Sequence, residues 1–190
     1  PMCKKLSLEL GGKNPAIIFA DCNYDEMLEA TVRSSFANQG QICLCGSRIF
    51  IEASIYQKFK TDFITAVSKL KVGNPFDSTS DLGALVSKPH LEKVRSYIDN
   101  AAQYGGKVIF GGNSVSIHNF ESGYYLEPTI IEVKDNSCVL NQVEIFGPVV
   151  TIMPFNNENE VLAMANDSSY GLSATLWTND LKKTMRISKQ

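Results

Sequence analysis

Ala16-Ile17-Ile18-Phe19, an amphipathic stretch opening at Asn23-Tyr24-Asp25-Glu26, and Arg48-Ile49-Phe50-Ile51 together decide the fold. The first and last are short apolar runs of the kind found in buried strands. Between them, Asn23 stands as a helix N-cap with Glu26 three residues on, the capping-box arrangement. Strand, helix, strand in that order predicts a parallel sheet with crossover helices.

The alternation continues outward. A second helix is predicted with Ser54 as cap and Gln57 three residues later; Tyr56, Phe59, Phe63, Val67 and Leu70 share one face, and Gly73 and Pro75 end it. A third starts at Pro89, buries Leu91, Val94, Ile98 and Ala101, and stops at Gly105-Gly106. Further strands fall at Val108-Ile109-Phe110, Thr129-Ile130-Ile131, Val149-Val150-Thr151-Ile152-Met153 and Ala174-Thr175-Leu176-Trp177. Two more helices are expected, Glu158–Asn166 and one from Leu181 onward. Residues 111–123 form a polar surface loop. With no repeat and no linker, residues 1–190 read as a single α/β domain with an open, mostly parallel sheet.

Composition narrows the partners. A net charge of −2 leaves no basic footprint for nucleic acid or an anionic membrane, and no apolar run approaches the ~20 residues that span a bilayer. Five cysteines, at 3, 22, 43, 45 and 138, are too few and irregular for a disulfide framework and favour a reducing compartment. Cys43-Leu44-Cys45 lacks further metal ligands, since His90 and His118 show no ligand-like spacing to it; no metal is expected. Neither a G-x-G-x-x-G fingerprint nor a Walker-type loop is present, so the main phosphate-binding surface of any nucleotide is not in these residues.

Three segments carry chemistry: Leu8-Glu9-Leu10-Gly11-Gly12-Lys13, Gln39-Gly40-Gln41-Ile42-Cys43-Leu44-Cys45, and Glu144-Ile145-Phe146-Gly147-Pro148-Val149. Cys43, by itself, is either a buried structural cysteine or a thiol nucleophile in a functional loop. Cys45 shares its face if the segment is extended and not if it is helical; it reads better as a small core residue and stands as the competing nucleophile. Glu9, between two leucines, has its charged form disfavoured, which suits a general base; it also reads as a partner for Lys13 at i+4, or as an exposed turn acid. Glu144 is a turn acid able to accept two adjacent ribose hydroxyls, or one with no ligand. Phe146 is a core ring or a stacking platform. His90 and Lys93, one helical turn apart, either reach a cofactor edge or lie on a solvated helix face.

The three segments, in this order and spacing, resemble the aldehyde dehydrogenase superfamily. Lys71-Val72-Gly73-Asn74-Pro75, Gly123-Tyr124-Tyr125-Leu126-Glu127-Pro128-Thr129 and Tyr170-Gly171-Leu172 extend the likeness over nearly the whole chain. The resemblance implies most of a catalytic domain, with the NAD-binding domain lying mostly N-terminal and an oligomerisation strand near the C-terminus, both absent here. It implies Cys43 as the nucleophile, held to a thiohemiacetal and then a thioester, with its own backbone N–H helping to hold the oxyanion. Glu9 becomes the base that activates hydrolytic water. Glu144 binds the nicotinamide ribose, Phe146 packs at the nicotinamide, the Leu10 main chain meets the carboxamide, and His90 and Lys93 lie near the ribose. The cofactor is NAD, with NADP open, and the parent a homo-oligomer.

The wording of Ser7-Leu8-Glu9, of residues 13–19 and of Ile42-Cys43-Leu44-Cys45 is most similar to the branch acting on 2-aminomuconic semialdehyde. That branch implies a cytoplasmic enzyme of tryptophan breakdown through kynurenine. Val143 departs from the family pattern, standing where a second acid is common. Because the chain begins on Pro1 and its last helix reaches Gln190 without a cap, a fragment truncated at both ends is expected, inactive alone for want of the oxyanion-hole amide. Two other readings stay open: a related enzyme passing the thioester to coenzyme A, and a non-catalytic protein of the same fold.

Overall fold

The computed structural model describes residues 3–190. Strand β1 (Asn14–Ile18) leads into helix α1 (Tyr24–Phe36), and β2 (Gly46–Glu52) returns parallel to β1, pairing Ile17 with Phe50 and Ile18 with Ile51. Helices α2 (Tyr56–Val67) and α3 (Lys88–Asp99) precede β3 (Gly106–Phe110). A small hairpin joins β4 (Ser114–Val115) to β5 (Tyr125–Leu126), and β6 (Thr129–Val133) follows. The chain closes with α4 (Val139–Gln142), β7 (Val149–Phe155), α5 (Glu158–Asn166), β8 (Thr175–Trp177) and α6 (Leu181–Ile187).

Six strands form one sheet in the order β3-β6-β7-β2-β1-β8. Every neighbouring pair is parallel except β3–β6, so the sheet is open and mostly parallel, as the sequence predicts. Alternate residues of the central strands feed opposite cores, because successive side chains leave a strand on opposite faces. Ile18, Ile49, Ile51, Val150 and Ile152 meet Met27 and Phe36 of α1 and Phe59, Phe63 and Val67 of α2. On the other face, Ile17, Phe50 and Phe155 pack with Val161 and Leu162 of α5 and Ile187 of α6, while Ile131, Val133 and Val149 meet Val94 and Ile98 of α3. Phe59 and Phe63 are fully buried and stack 5.0 Å apart. Each such ring contributes about 1.5–3 kcal/mol through removal from water.

Several local expectations are corrected. Ser54 does not cap α2: its hydroxyl donates to Glu52 Oε1 at 3.2 Å, and Ile55 occupies the cap position. α2 also ends at Val67, well before Gly73 and Pro75, because residues 68–70 turn away on hydrogen bonds to Ile64, Ala66 and Val67 carbonyls. α3 starts one residue before Pro89, capped by Ser87, whose hydroxyl accepts the His90 N–H, and it ends at Asp99, ahead of Gly105. Asn23 does sit at the α1 cap, but its side-chain amide donates to Glu26 Oε2 at 2.9 Å, so the capping box closes side chain to side chain. The loop over 111–123 contains β4, and α4 is a single turn that the sequence pattern does not reveal.

Candidate active site

The three chemistry-bearing segments end immediately before three adjacent strands. Residues 9–12 run into β1, Cys43 precedes β2, and residues 144–146 precede β7. Since β7, β2 and β1 are neighbours and parallel, their amino ends lie side by side. The sheet therefore brings the Glu144 segment beside two segments more than a hundred residues earlier in the chain. They line one open cleft of about 380 Å³ with Glu9, Leu10, Gly11, Cys43, His90, Lys93, Glu144 and Phe146 on its walls. The candidate catalytic and cofactor-binding residues Cys43, Glu9, Leu10, His90, Lys93, Glu144 and Phe146 all face it, whereas Cys45 does not.

Cys43 sits in a tight turn closed by the Cys45 N–H donating to the Ile42 carbonyl at 3.0 Å. The turn settles the relation of the two thiols. Cys43 is half-buried at the cleft, while Cys45 is turned into the core, where burial pushes its thiol up. A thiol so disfavoured as thiolate is a poor nucleophile, and of the two thiols only Cys43 lines the cleft. Asn14 fixes the turn: its amide nitrogen donates to the Cys43 carbonyl at 2.6 Å and the Cys45 carbonyl at 3.0 Å, and its amide oxygen accepts the Ser173 N–H. Among the described residues no acceptor takes the Cys43 N–H, which leaves it free to donate to an oxyanion.

Glu144 is tied to the Glu9 segment. Its Oε1 accepts the Gly12 N–H at 2.9 Å. A β-carbon on Gly11 would come within 2.5 Å of Glu144 Oε2, so any larger residue there would push this carboxylate aside. From the other side, α3 grips the same segment: Lys93 Nζ donates to the Glu144 carbonyl at 3.4 Å, and His90 Nε2 donates to the Phe146 carbonyl at 2.6 Å. A carbonyl can only accept, so the contact places a proton on Nε2. Phe146 itself has φ +60°, a left-handed conformation uncommon outside glycine and often found at functional sites. Behind it, Gly40 (φ +66°) passes so close to Gly147 that any β-carbon would collide with its carbonyl oxygen.

Glu9 is an exposed acid at the cleft mouth, flanked by Leu8 and Leu10 at 70% and 58% exposure, so these leucines give it no apolar enclosure within this chain. The i+4 ion pair with Lys13 does not form, because Lys13 is 1% exposed and its ammonium lies inside the protein. Arg48, also buried, is satisfied there: Nε donates to the Lys13 carbonyl at 2.7 Å, and its two terminal nitrogens donate to Met164 and Ala165 carbonyls at the end of α5. Sequence reasoning found the cleft residues but missed this support. Asn14 and Arg48 were visible only as polar residues at strand starts, the one signal that could have marked them.

An open parallel sheet, a thiol at the amino end of its central strand, and acids on both flanking segments define the class. The profile of the Aldehyde dehydrogenase family matches residues 1–190, and the chain belongs to that family. It is 52% identical to the 2-aminomuconic semialdehyde dehydrogenase of Homo sapiens, over 100% of this chain and 40% of that protein. It is 39% identical to the 2-aminomuconic 6-semialdehyde dehydrogenase of a Pseudomonas species, over 98% of this chain and 38% of that protein. Among solved structures, betaine aldehyde dehydrogenase of Staphylococcus aureus in complex with NAD+ superposes with a TM-score of 0.92 at 38% identity, covering 95% of this chain and 36% of that one. The chain thus spans about two-fifths of the length of the curated relatives it matches.

Proposed function

We propose that the protein carrying this chain oxidises an aldehyde to the carboxylic acid, with NAD as acceptor and Cys43 as nucleophile. The observation that carries the reading is the cleft, which brings Cys43, Glu9 and Glu144 together from three strand ends. The Cys43 sulfur bonds to the aldehyde carbon, and the carbonyl oxygen becomes an oxyanion that the free Cys43 N–H holds. The nicotinamide, when bound, takes up the hydride that leaves this carbon. What stays on Cys43 is a thioester. Glu9 then removes a proton from a water molecule, whose oxygen adds to the thioester carbon; the carbon–sulfur bond breaks and the acid departs, restoring the thiolate.

The residues present fit the nicotinamide–ribose end of such a cofactor. Glu144, braced by Gly12, offers an acceptor to ribose hydroxyls, and Lys93, one helical turn from His90 on the exposed face of α3, reaches the Glu144 carbonyl. The Phe146 ring and the Leu10 main chain border the space between them and Cys43. NADP in place of NAD is compatible with this end of the site, which meets no adenosine phosphate. The exposed leucines at 6, 8, 10 and 44 fit a face covered by further polypeptide, in keeping with a catalytic domain whose cofactor domain and oligomerisation segment lie outside this chain. The same reading makes the parent a cytoplasmic homo-oligomer; among the described residues no helix is long and apolar enough to cross a membrane.

For the substrate, the names of the similar proteins from Homo sapiens and Pseudomonas support 2-aminomuconic semialdehyde. The test is NADH formation by the whole protein over an aldehyde panel that includes this compound, with Cys43→Ala as control. NADH that disappears in the variant supports the mechanism, and the preferred aldehyde tests the substrate. A folded protein producing no NADH from any aldehyde refutes it, and an acyl-CoA product in place of the acid refutes the role given to Glu9.

A further inference from the structure

Lys13 is a buried cation that the proposed reaction does not use. Its ammonium is enclosed, and no described residue hydrogen-bonds it. Lys13 lines a small void of about 20 Å³ beneath the cleft, together with Ser35, Ser47, Cys45 and the same Glu144 that braces Gly12. A void of this size holds one water molecule when at least two polar groups face it. A buried ammonium without partners is too costly to persist, and the void that Lys13 lines has room for one water.

We propose that one buried water joins Lys13 Nζ to the Glu144 carboxylate, so that Lys13 is a positioning residue whose charge state governs the grip of Glu144 on the cofactor ribose. The inference rests on the reading of Glu144 as the ribose anchor. With Gly12 N–H on one carboxylate oxygen and the water-bridged ammonium on the other side, the carboxylate has no freedom to swing out of the cleft. Loss of the proton from Lys13 removes the cation from this bridge, leaving only the carboxylate charged, and weakens it.

The groups around Lys13 place that loss near neutrality. Burial lowers its pKa most, the Arg48 guanidinium on β2 lowers it further, and Glu144 and Cys138, just ahead of α4, raise it; the result is about 7. Arg48 is bonded to three carbonyls and Lys13 to none, so Lys13 is the member of this buried pair that gives up its proton. Cofactor affinity is therefore highest below pH 7 and declines as pH rises through it. By reciprocity, cofactor binding near pH 7.5 draws a proton onto Lys13.

The test is NAD binding to the whole protein by titration calorimetry, from pH 6 to 9, in buffers of different ionisation enthalpy. For the unsubstituted protein the Kd rises about three- to tenfold across that range, the span of one hydrogen bond, and binding takes up protons at pH 7.5. Lys13→Met removes both the pH dependence and the uptake, leaving the weaker Kd at every pH. A wild-type protein with no proton uptake and a flat Kd overturns the inference without needing the variant, as does a Lys13→Met protein that keeps both. Glu144→Gln separates the two readings: if it leaves the Kd for NAD unchanged, the ribose anchor falls. If it weakens binding while Lys13→Met behaves as wild type, only the role of Lys13 falls.

Discussion

Replacing Lys13 with methionine should stabilise the protein, and by an amount that depends on pH. Unfolded, this amine titrates at 10.5; folded, it titrates at about 7 because it is fully enclosed beside Arg48. A drop of about 3.5 units corresponds to roughly 5 kcal/mol, at about 1.4 kcal/mol per unit. Since the folded value is the lower one, the folded state binds fewer protons between pH 7 and 10.5, and wild-type stability rises with pH across that window. The full cost is present below pH 7 and fades toward 10.5. Lys13→Met, of similar length and without charge, removes that cost. The variant should therefore be more stable by about 5 kcal/mol at pH 6 and by about 3 kcal/mol at pH 8.5, as orders of magnitude. Urea unfolding at these two pH values measures the difference; urea, unlike guanidinium, leaves the ionic strength fixed. A variant less stable than wild type at pH 6, or a gain that does not shrink with pH, refutes the argument that the buried amine is a net burden. Greater stability together with weaker cofactor binding would be the trade-off common at functional sites.

Other outcomes follow from single contacts. Gly11→Ala brings a β-carbon within 2.5 Å of Glu144 Oε2; the Kd for NAD by calorimetry should rise about tenfold while stability changes by less than about 1 kcal/mol, as for an exposed position. Asn14→Ala strips two carbonyls and one N–H of their partner, and should cost about 2–4 kcal/mol in urea unfolding and change the alkylation rate of Cys43 by iodoacetamide. Phe59→Ala opens a cavity among Phe63, Phe36 and the sheet and should cost about 3–5 kcal/mol by the same measurement, with the Kd for NAD unchanged.

The strands were legible because their apolar runs are short and uninterrupted, and β1, β2 and β7 are buried on both faces as such runs require. The hairpin β4–β5 was not, since two residues per strand carry no periodicity. Ser54 misled because a side chain two residues earlier, Glu52, competes for its hydroxyl. In the site, Cys43, Glu9 and Glu144 stood out as candidates by residue type and neighbouring glycines, and the structure brings all three to one cleft. Their convergence was not readable, because it depends on β7, β2 and β1 being adjacent, which local sequence does not encode. Lys13 shows the limit most clearly. Its spacing from Glu9 is that of a surface helix pair, but residues 9–13 are not helical, and the extended chain carries the lysine inward while Glu9 stays in solvent. Arg48 is a strand residue, as the apolar run after it suggested, and it is also the tie between the segment before β1 and the end of α5, which the sequence did not show.

Open parallel sheets commonly hold their ligands beyond the carboxyl ends of the strands, yet here the cleft lies at the amino ends of β1, β2 and β7. The turns at the opposite edge, after Ile18, Glu52 and Phe155, contribute no residue to the cleft lining. The cleft and these turns thus lie on opposite rims of one sheet. A protein engineer can lengthen, shorten or graft onto the rim formed by residues 20–23, 53–55 and 156–157 to change solubility or attach a tether. The cleft rim would stay as it is, with the packed interior of the sheet lying between the two.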